Sequence, residues 1–251
     1  MPGADEGTMD RENRPADIAP ARSVETSRIV RRWALRESMG VLMVGVMLFW
    51  AAGRLDWGMG WALMGILIAW VGGTALAVIP RYPELLAERL KPKAGVKRWD
   101  TVILSVVGLL DMARYIVAGL DVRFGWTTSI GLPAQIAMAV IVAAGHALFV
   151  WAIGSNAFFA SSVRIQSDRG QTVARGGPYG FVRHPAYLGS ILIQLTAPLM
   201  LGSLPALIPG VLSAVIFVIR TALEDRTLQA ELAGYREYAQ QVRYRLLPGI
   251  W

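Results

Sequence analysis

The sequence predicts an all-α integral membrane protein of about six transmembrane helices. Composition and run length carry the prediction. Hydrophobic residues make up 54% of the 251 and charged residues 17%, with a mean hydropathy of +0.44. A soluble domain carries about 25% charge. The apolar residues fall in runs of roughly 17–22, enough to cross a hydrocarbon core at 1.5 Å per residue.

The candidate spans follow in order. The first is about 34–53, with Arg36 and Glu37 at its interfacial edge. The second, 58–79, stops at Pro80 and a basic stretch. The third, 101–120, carries Asp111 and Arg114, and the fourth, 132–154, carries His146. The last two, 187–201 and 205–220, are short and separated by Leu201-Gly202-Ser203-Leu204-Pro205, the pattern of a tight helical hairpin.

The basic residues test the topology. Seven Lys and Arg occur up to Arg36, six in 80–100, four in 155–186 and five from Arg220 onward. The opposite-side loops hold one each, Arg54 and Arg123. This asymmetry fits both termini and the 155–186 loop in the cytoplasm. The net charge of +7 is then chiefly a topology signal, with some attraction to anionic lipid heads, and it gives little support to a nucleic-acid partner.

There are no cysteines, which excludes disulfides, thiolate metal sites and cysteine nucleophiles. The two histidines, His146 and His184, are far apart, so no metal site is expected. Residues 1–30 are polar, without an apolar core, and read as a disordered cytoplasmic tail rather than a signal peptide. Residues 31–154 hold the first four spans, and 155–251 form a separate region containing the hairpin 187–220.

Two polar segments are more than connectors. Residues 81–98 begin like a short amphipathic helix at the interface. Residues 221–244 read as a C-terminal amphipathic helix, with Leu228, Leu232, Tyr235, Ala239 and Val242 near one face. Asp111 and Arg114, three apart, share a helix face and can pair. A structural ion pair is the favoured reading, and a substrate path or lipid-headgroup site the alternative. His146 reads as a hydrogen-bonded packing residue.

The chemistry is concentrated in 163–189. Val163–Gln166 and Gln171–Ala174 flank Asp168-Arg169-Gly170 and read as a small hairpin or folded loop, and Gly176-Gly177-Pro178 forces a turn. Irregular polar backbone beside a membrane persists only where protein or a ligand buries it.

Gly177-Pro178-Tyr179, followed by Val182-Arg183-His184-Pro185-Ala186-Tyr187-Leu188-Gly189, resembles the signature of the isoprenylcysteine carboxyl methyltransferase family. Arg220, Glu224-Asp225, Gly234-Tyr235, Tyr238 and a closing Leu-Pro continue the resemblance, which covers roughly 155–251. It departs from the family pattern at Asp225, where glutamate is usual, and at Gly180, where a bulkier residue is common.

The resemblance implies a membrane methyltransferase using S-adenosylmethionine. It implies a cofactor pocket formed by Gln166, Gln171, Thr172, Val173, Ala174, Tyr179, His184, Pro185, Ala186 and Tyr187, closed by Glu224. Arg220 and Glu224 are the implied catalytic residues, with Arg220 facing the substrate. A guanidinium can orient an acceptor carboxylate by a forked pair of hydrogen bonds, and a carboxylate needs no general base. The implied acceptor is therefore a lipophilic or prenylated carboxylate reached from the membrane. Phospholipid N-methylation and small-thiol S-methylation stand as alternatives, and a transporter or assembly factor as the non-enzyme one. An amine acceptor would require deprotonation by a placed base.

Overall fold

The computed structural model describes residues 18–90 and 95–251, with side chains from residue 25 onward. Eight α-helices and no strand occur among the described residues. They are α1 (Ile18–Ala52), α2 (Gly58–Val78), α3 (Pro83–Leu90), α4 (Arg98–Phe124), α5 (Leu132–Gly154), α6 (Pro185–Met200), α7 (Leu207–Glu231) and α8 (Tyr235–Gln241). The protein is an all-α integral membrane protein. Five helices are long and apolar enough to cross a bilayer: α1 from Glu25, α2, α4, α5 and α7. The 16 residues of α6 extend only about 24 Å at 1.5 Å per residue, short of the ~30 Å hydrocarbon core. Of the six expected spans, five are thus of full length.

Three boundaries differ from the sequence expectations. Residues 1–17 of the expected tail lie outside the described residues, but from Ile18 the chain is already helical. Its Ile29, Val30 and Trp33 pack with Val78, Leu85, Leu86 and Ile153, so tertiary contact extends the helix below the membrane edge. Secondly, α7 runs unbroken from its apolar half through Glu231, so 221–231 prolong the last span rather than start a new helix. Only α8 is separate, after Gly234 at φ +77°. Thirdly, the 163–174 segment contains no strand pairing, and a single 3-10 turn at Ser167–Arg169 makes its bend.

The amphipathic helix expected after the second span is α3. It buries Leu85 and Leu86 completely and leaves Glu84 exposed. The helices pack α1 on α4, α2 on α5, α5 on α6, α6 on α7 and α4 on α7. Lipid supplies no hydrophobic drive between spans, so close backbone approach matters. At the α5–α6 crossing, a Cβ on Gly189 would lie 2.5 Å from the Gly145 carbonyl oxygen, and one on Gly145 would lie 2.9 Å from that of Gly189. This contact fixes the start of α6, and with it the loop 155–184, beside α5. The same end of the bundle holds α3, the start of α4, the polar half of α7 and α8.

Asp111 and Arg114 pair at 3.2 Å, and Gln194 of α6 donates to Asp111 at 2.8 Å. The pair links α4 to α6 within the bundle. His146 lies buried with its Nδ1 2.8 Å from the Val142 carbonyl and its ring edge-on to Trp70, in keeping with a packing role.

Candidate active site

The loop 155–184 is held by its own polar groups. Gln166, almost fully buried, accepts from Arg169 at 2.6 Å and donates to the Phe158 carbonyl at 2.7 Å. Its backbone N–H donates to the Gln171 side chain at 2.7 Å. Asn156 accepts from the Phe158 amide at 2.9 Å. Arg164 bridges Glu88 and Asp168 at 2.7 and 2.9 Å, tying the loop to α3. Gly177 sits at φ +58°, and any Cβ there would collide with Ser155. Only glycine fits that position of the Gly-Pro-Tyr turn.

The second half of the signature is anchored by Asp225, which is completely buried. Its carboxylate accepts from Arg183 at 2.8 and 3.2 Å, Arg245 at 2.9 Å, Gln229 at 2.7 Å and Tyr235 at 3.1 Å. His184 Nε2 lies 3.3 Å from both Asp225 and the Tyr235 hydroxyl. Arg183 also donates to the carbonyls of Val242 and Arg243, each at 2.8 Å. The Arg183 and His184 amides donate to Tyr244 and Arg245, both at 2.9 Å. The chain after α8 is therefore laced to the loop before α6. Tyr238 closes the same seam by donating to the Tyr179 carbonyl at 2.8 Å. Burial pushes the hydroxyls of Tyr179, Tyr235 and Tyr238 well above the usual phenol range, so all three remain protonated donors.

These elements enclose a cavity of about 260 Å³. Of the expected site residues, Gln166, Gln171, Thr172, Val173, Ala174, Tyr179, His184, Ala186, Tyr187, Arg220 and Glu224 all line it. Pro185 does not; it sits at the first turn of α6, where a missing N–H costs nothing. Among the described residues, no hydrogen bond engages the backbone of Thr172–Ala174 along the cavity wall. The Tyr187 hydroxyl donates to Glu224, and its ring stacks on His184 at 5.8 Å.

Arg220 is placed differently from its expected role. Its Nε and Nη2 fork onto Asp100 at 2.7 and 3.2 Å, and Nη2 also reaches the Ser161 carbonyl at 3.3 Å. Its guanidinium lies 5.1 Å from the Tyr187 ring centre. The fork expected to face an acceptor is thus spent on Asp100, a residue the sequence analysis did not single out. Asp100 is completely buried at the start of α4 and also accepts from the Val163 amide at 2.7 Å. Its only sequence signal is its position, a lone acid among basic residues at a membrane edge. Asn156, Phe158, Phe159, Tyr235, Tyr238 and Arg89 are further wall residues not anticipated. The two departures from the family pattern lie off the wall: Gly180 is exposed, with only the Arg175 carbonyl oxygen 3.9 Å from where a Cβ would lie, and Asp225 stands behind His184.

Beside this cavity lies a membrane-facing groove of about 620 Å³, lined by α1, α2, α4, α5, α6 and α7. Leu104, Phe149, Ser190 and Phe217 line both spaces, so the two lie against each other across a shared wall.

The described residues thus form a helical membrane bundle with a polar cavity at one end, beside a largely apolar groove. Residues 136–230 match the Isoprenylcysteine carboxyl methyltransferase (ICMT) family. The match takes in α5, the loop, α6 and α7, the elements that build most of the cavity. No curated protein matches the chain.

Proposed function

We propose that this chain is an S-adenosylmethionine-dependent carboxyl O-methyltransferase acting on a lipophilic acceptor. The observation that carries the reading is the adjacency of cavity and groove, which share Leu104, Phe149, Ser190 and Phe217 as lining. A polar chamber suits the cofactor, and an apolar groove open to lipid suits a hydrocarbon-bearing acceptor.

The wall chemistry fits the cofactor. Glu224 gives one oxygen to Tyr187 and presents a carboxylate to an ammonium or ribose hydroxyl. The unengaged backbone of Thr172–Ala174 offers donors and acceptors to a heterocycle edge. Tyr179, Phe158 and Phe159 supply aromatic faces. His184 and Tyr187, stacked and braced from behind by Asp225, form a rigid face. When bound, S-adenosylmethionine supplies a methyl group on a sulfonium, transferable by in-line displacement.

The chain's part is orientation and exclusion of water. Loop 155–184 covers the cavity from the polar side, and the lacing of Arg183 and Tyr238 keeps it closed. Arg220, fixed by Asp100 against the Tyr187 ring, also holds the Ser161 carbonyl and so ties the loop to α7 at the cavity wall. A carboxylate acceptor is itself the nucleophile, so the site requires no base to activate it. The termini and cavity lie on the cytoplasmic side, a reading supported by the Lys and Arg excess at that end of the bundle.

The test is transfer of label. Membranes containing the chain are incubated with methyl-labelled S-adenosylmethionine and extracted into organic solvent. Base-labile label in the lipid fraction indicates an ester and supports the reading. Base-stable label would refute the carboxylate acceptor in favour of an amine or thiol, and no label would refute the enzyme.

A further inference from the structure

Four arginines line the cavity, and three are committed to carboxylates. Arg164 holds Glu88 and Asp168, Arg183 holds Asp225, and Arg220 holds Asp100. The fourth is Arg89, in the last turn of α3. Its Nε and Nη1 are buried and have no hydrogen-bond partner among the described residues. The neighbouring carboxylates are already engaged: Glu88 by Arg164 and Glu37 by Arg36. Arg36 also donates to the Arg89 carbonyl at 2.7 Å, which ties the end of α3 to α1.

Arg89 is only half-buried as a residue, but two buried guanidinium donors without an acceptor carry a desolvation cost. Burial accordingly pushes the Arg89 pKa down, opposed by the Glu37 carboxylate and reinforced by Arg36. The bond from Arg36 to the Arg89 carbonyl sets Arg89 on the α1 side of the chamber. Glu37 and Leu104 line the apolar groove, and Leu104 lines the cavity as well. Arg89 thus lines the chamber together with Leu104, a residue of the wall shared with the groove.

We infer that Arg89 is the residue that grips the carboxylate of the acceptor and selects anionic over neutral lipophilic molecules. The inference rests on the proposed function for its acceptor class. A guanidinium offers a carboxylate two parallel N–H donors. Arg89 has Nε and Nη1 without partners, one donor of each of its two forks, while Arg220 has given its Nε/Nη2 fork to Asp100. An acceptor whose hydrocarbon lies in the groove meets these Arg89 donors with its head. The other carboxylate available to Arg89 is the amino-acid end of the cofactor, and the experiment separates the two.

The full chain in lipid nanodiscs is titrated, without turnover, with N-acetyl-S-farnesylcysteine and with its carboxamide. S-adenosylmethionine affinity is measured in parallel. Wild type is expected to bind the carboxylate at least tenfold more tightly than the carboxamide. Arg89→Gln is expected to bring the two within about twofold while leaving cofactor affinity unchanged, since hydrogen bonds to charged groups contribute on this scale. If Arg89→Gln does not fold, Arg89→Lys keeps the charge without the fork and is expected to lower the preference at least threefold. The assignment is overturned by a wild type without preference or by a preference undiminished in the variants. It is equally overturned by variants that lose cofactor affinity instead, which would give Arg89 to the cofactor. A wild type that prefers the carboxylate yet transfers no methyl refutes the enzyme and leaves the Arg89 assignment standing.

Discussion

Arg220 and Asp100, 120 residues apart in sequence, form a buried forked ion pair at 2.7 and 3.2 Å that joins α7 to α4 at the wall of the cavity. Removing one partner from such a pair leaves an uncompensated charge, at a cost of about 3–5 kcal/mol. Asp100→Asn is expected to destabilise the bundle by that order and to lower turnover through a displaced Arg220. Thermal unfolding in detergent checks the first effect. A double-mutant cycle with Arg220→Gln checks the second, because a paired role requires that the two losses not add.

Tyr187→Phe removes the hydroxyl held by Glu224 and keeps the stacked ring on His184. A hydrogen bond to a charged group contributes about 1.5–3 kcal/mol. Cofactor affinity is therefore expected to fall about tenfold, with the melting temperature shifted only slightly. Equilibrium binding to the purified variant decides it, and an unchanged affinity would remove Glu224 from the cofactor wall.

Asp225 is the hub behind the signature, so Asp225→Asn strands Arg183 and Arg245 together. The expected outcome is release of the C-terminal segment from the loop, read as faster protease cleavage after α8. Loss of cofactor binding should accompany it. Asp225→Glu, the residue usual in the family pattern, is expected to retain binding if the extra methylene is accommodated by Gln229.

Gly189→Val drives a side chain into the Gly145 carbonyl, 2.5 Å from the new Cβ. Overpacking of this kind costs about 1–3 kcal/mol or more, and here it also displaces the start of α6. Activity should fall further than stability, measured as turnover against melting temperature on one preparation.

The site region was largely legible in sequence because its signals are local. Gly177 needs a positive φ and a close neighbour, Pro185 needs a helix start, and the glycine-rich loop needs burial; each can be read from a few adjacent residues. The contributions from the first half of the chain were not legible. Asp100 and Arg89 act through partners or spaces brought together only by packing, and beyond the basic neighbours of Asp100 their flanking residues carry no signal of it. The helix boundaries failed for a related reason. Ile29, Val30 and Trp33 gain helical order from contact with Leu85 and Leu86, and polar residues 221–231 continue α7 because the loop and α8 cover their inner face. Local polarity predicted breaks where tertiary burial carries the helix through.

The most direct measurement is S-adenosylmethionine binding to the purified, folded chain in lipid nanodiscs, compared between wild type and Glu224→Gln. Saturable binding by wild type that weakens at least tenfold in the variant, with the melting temperature of both chains preserved, is the expected result. A folded wild type that shows no saturable binding would contradict the methyltransferase reading altogether.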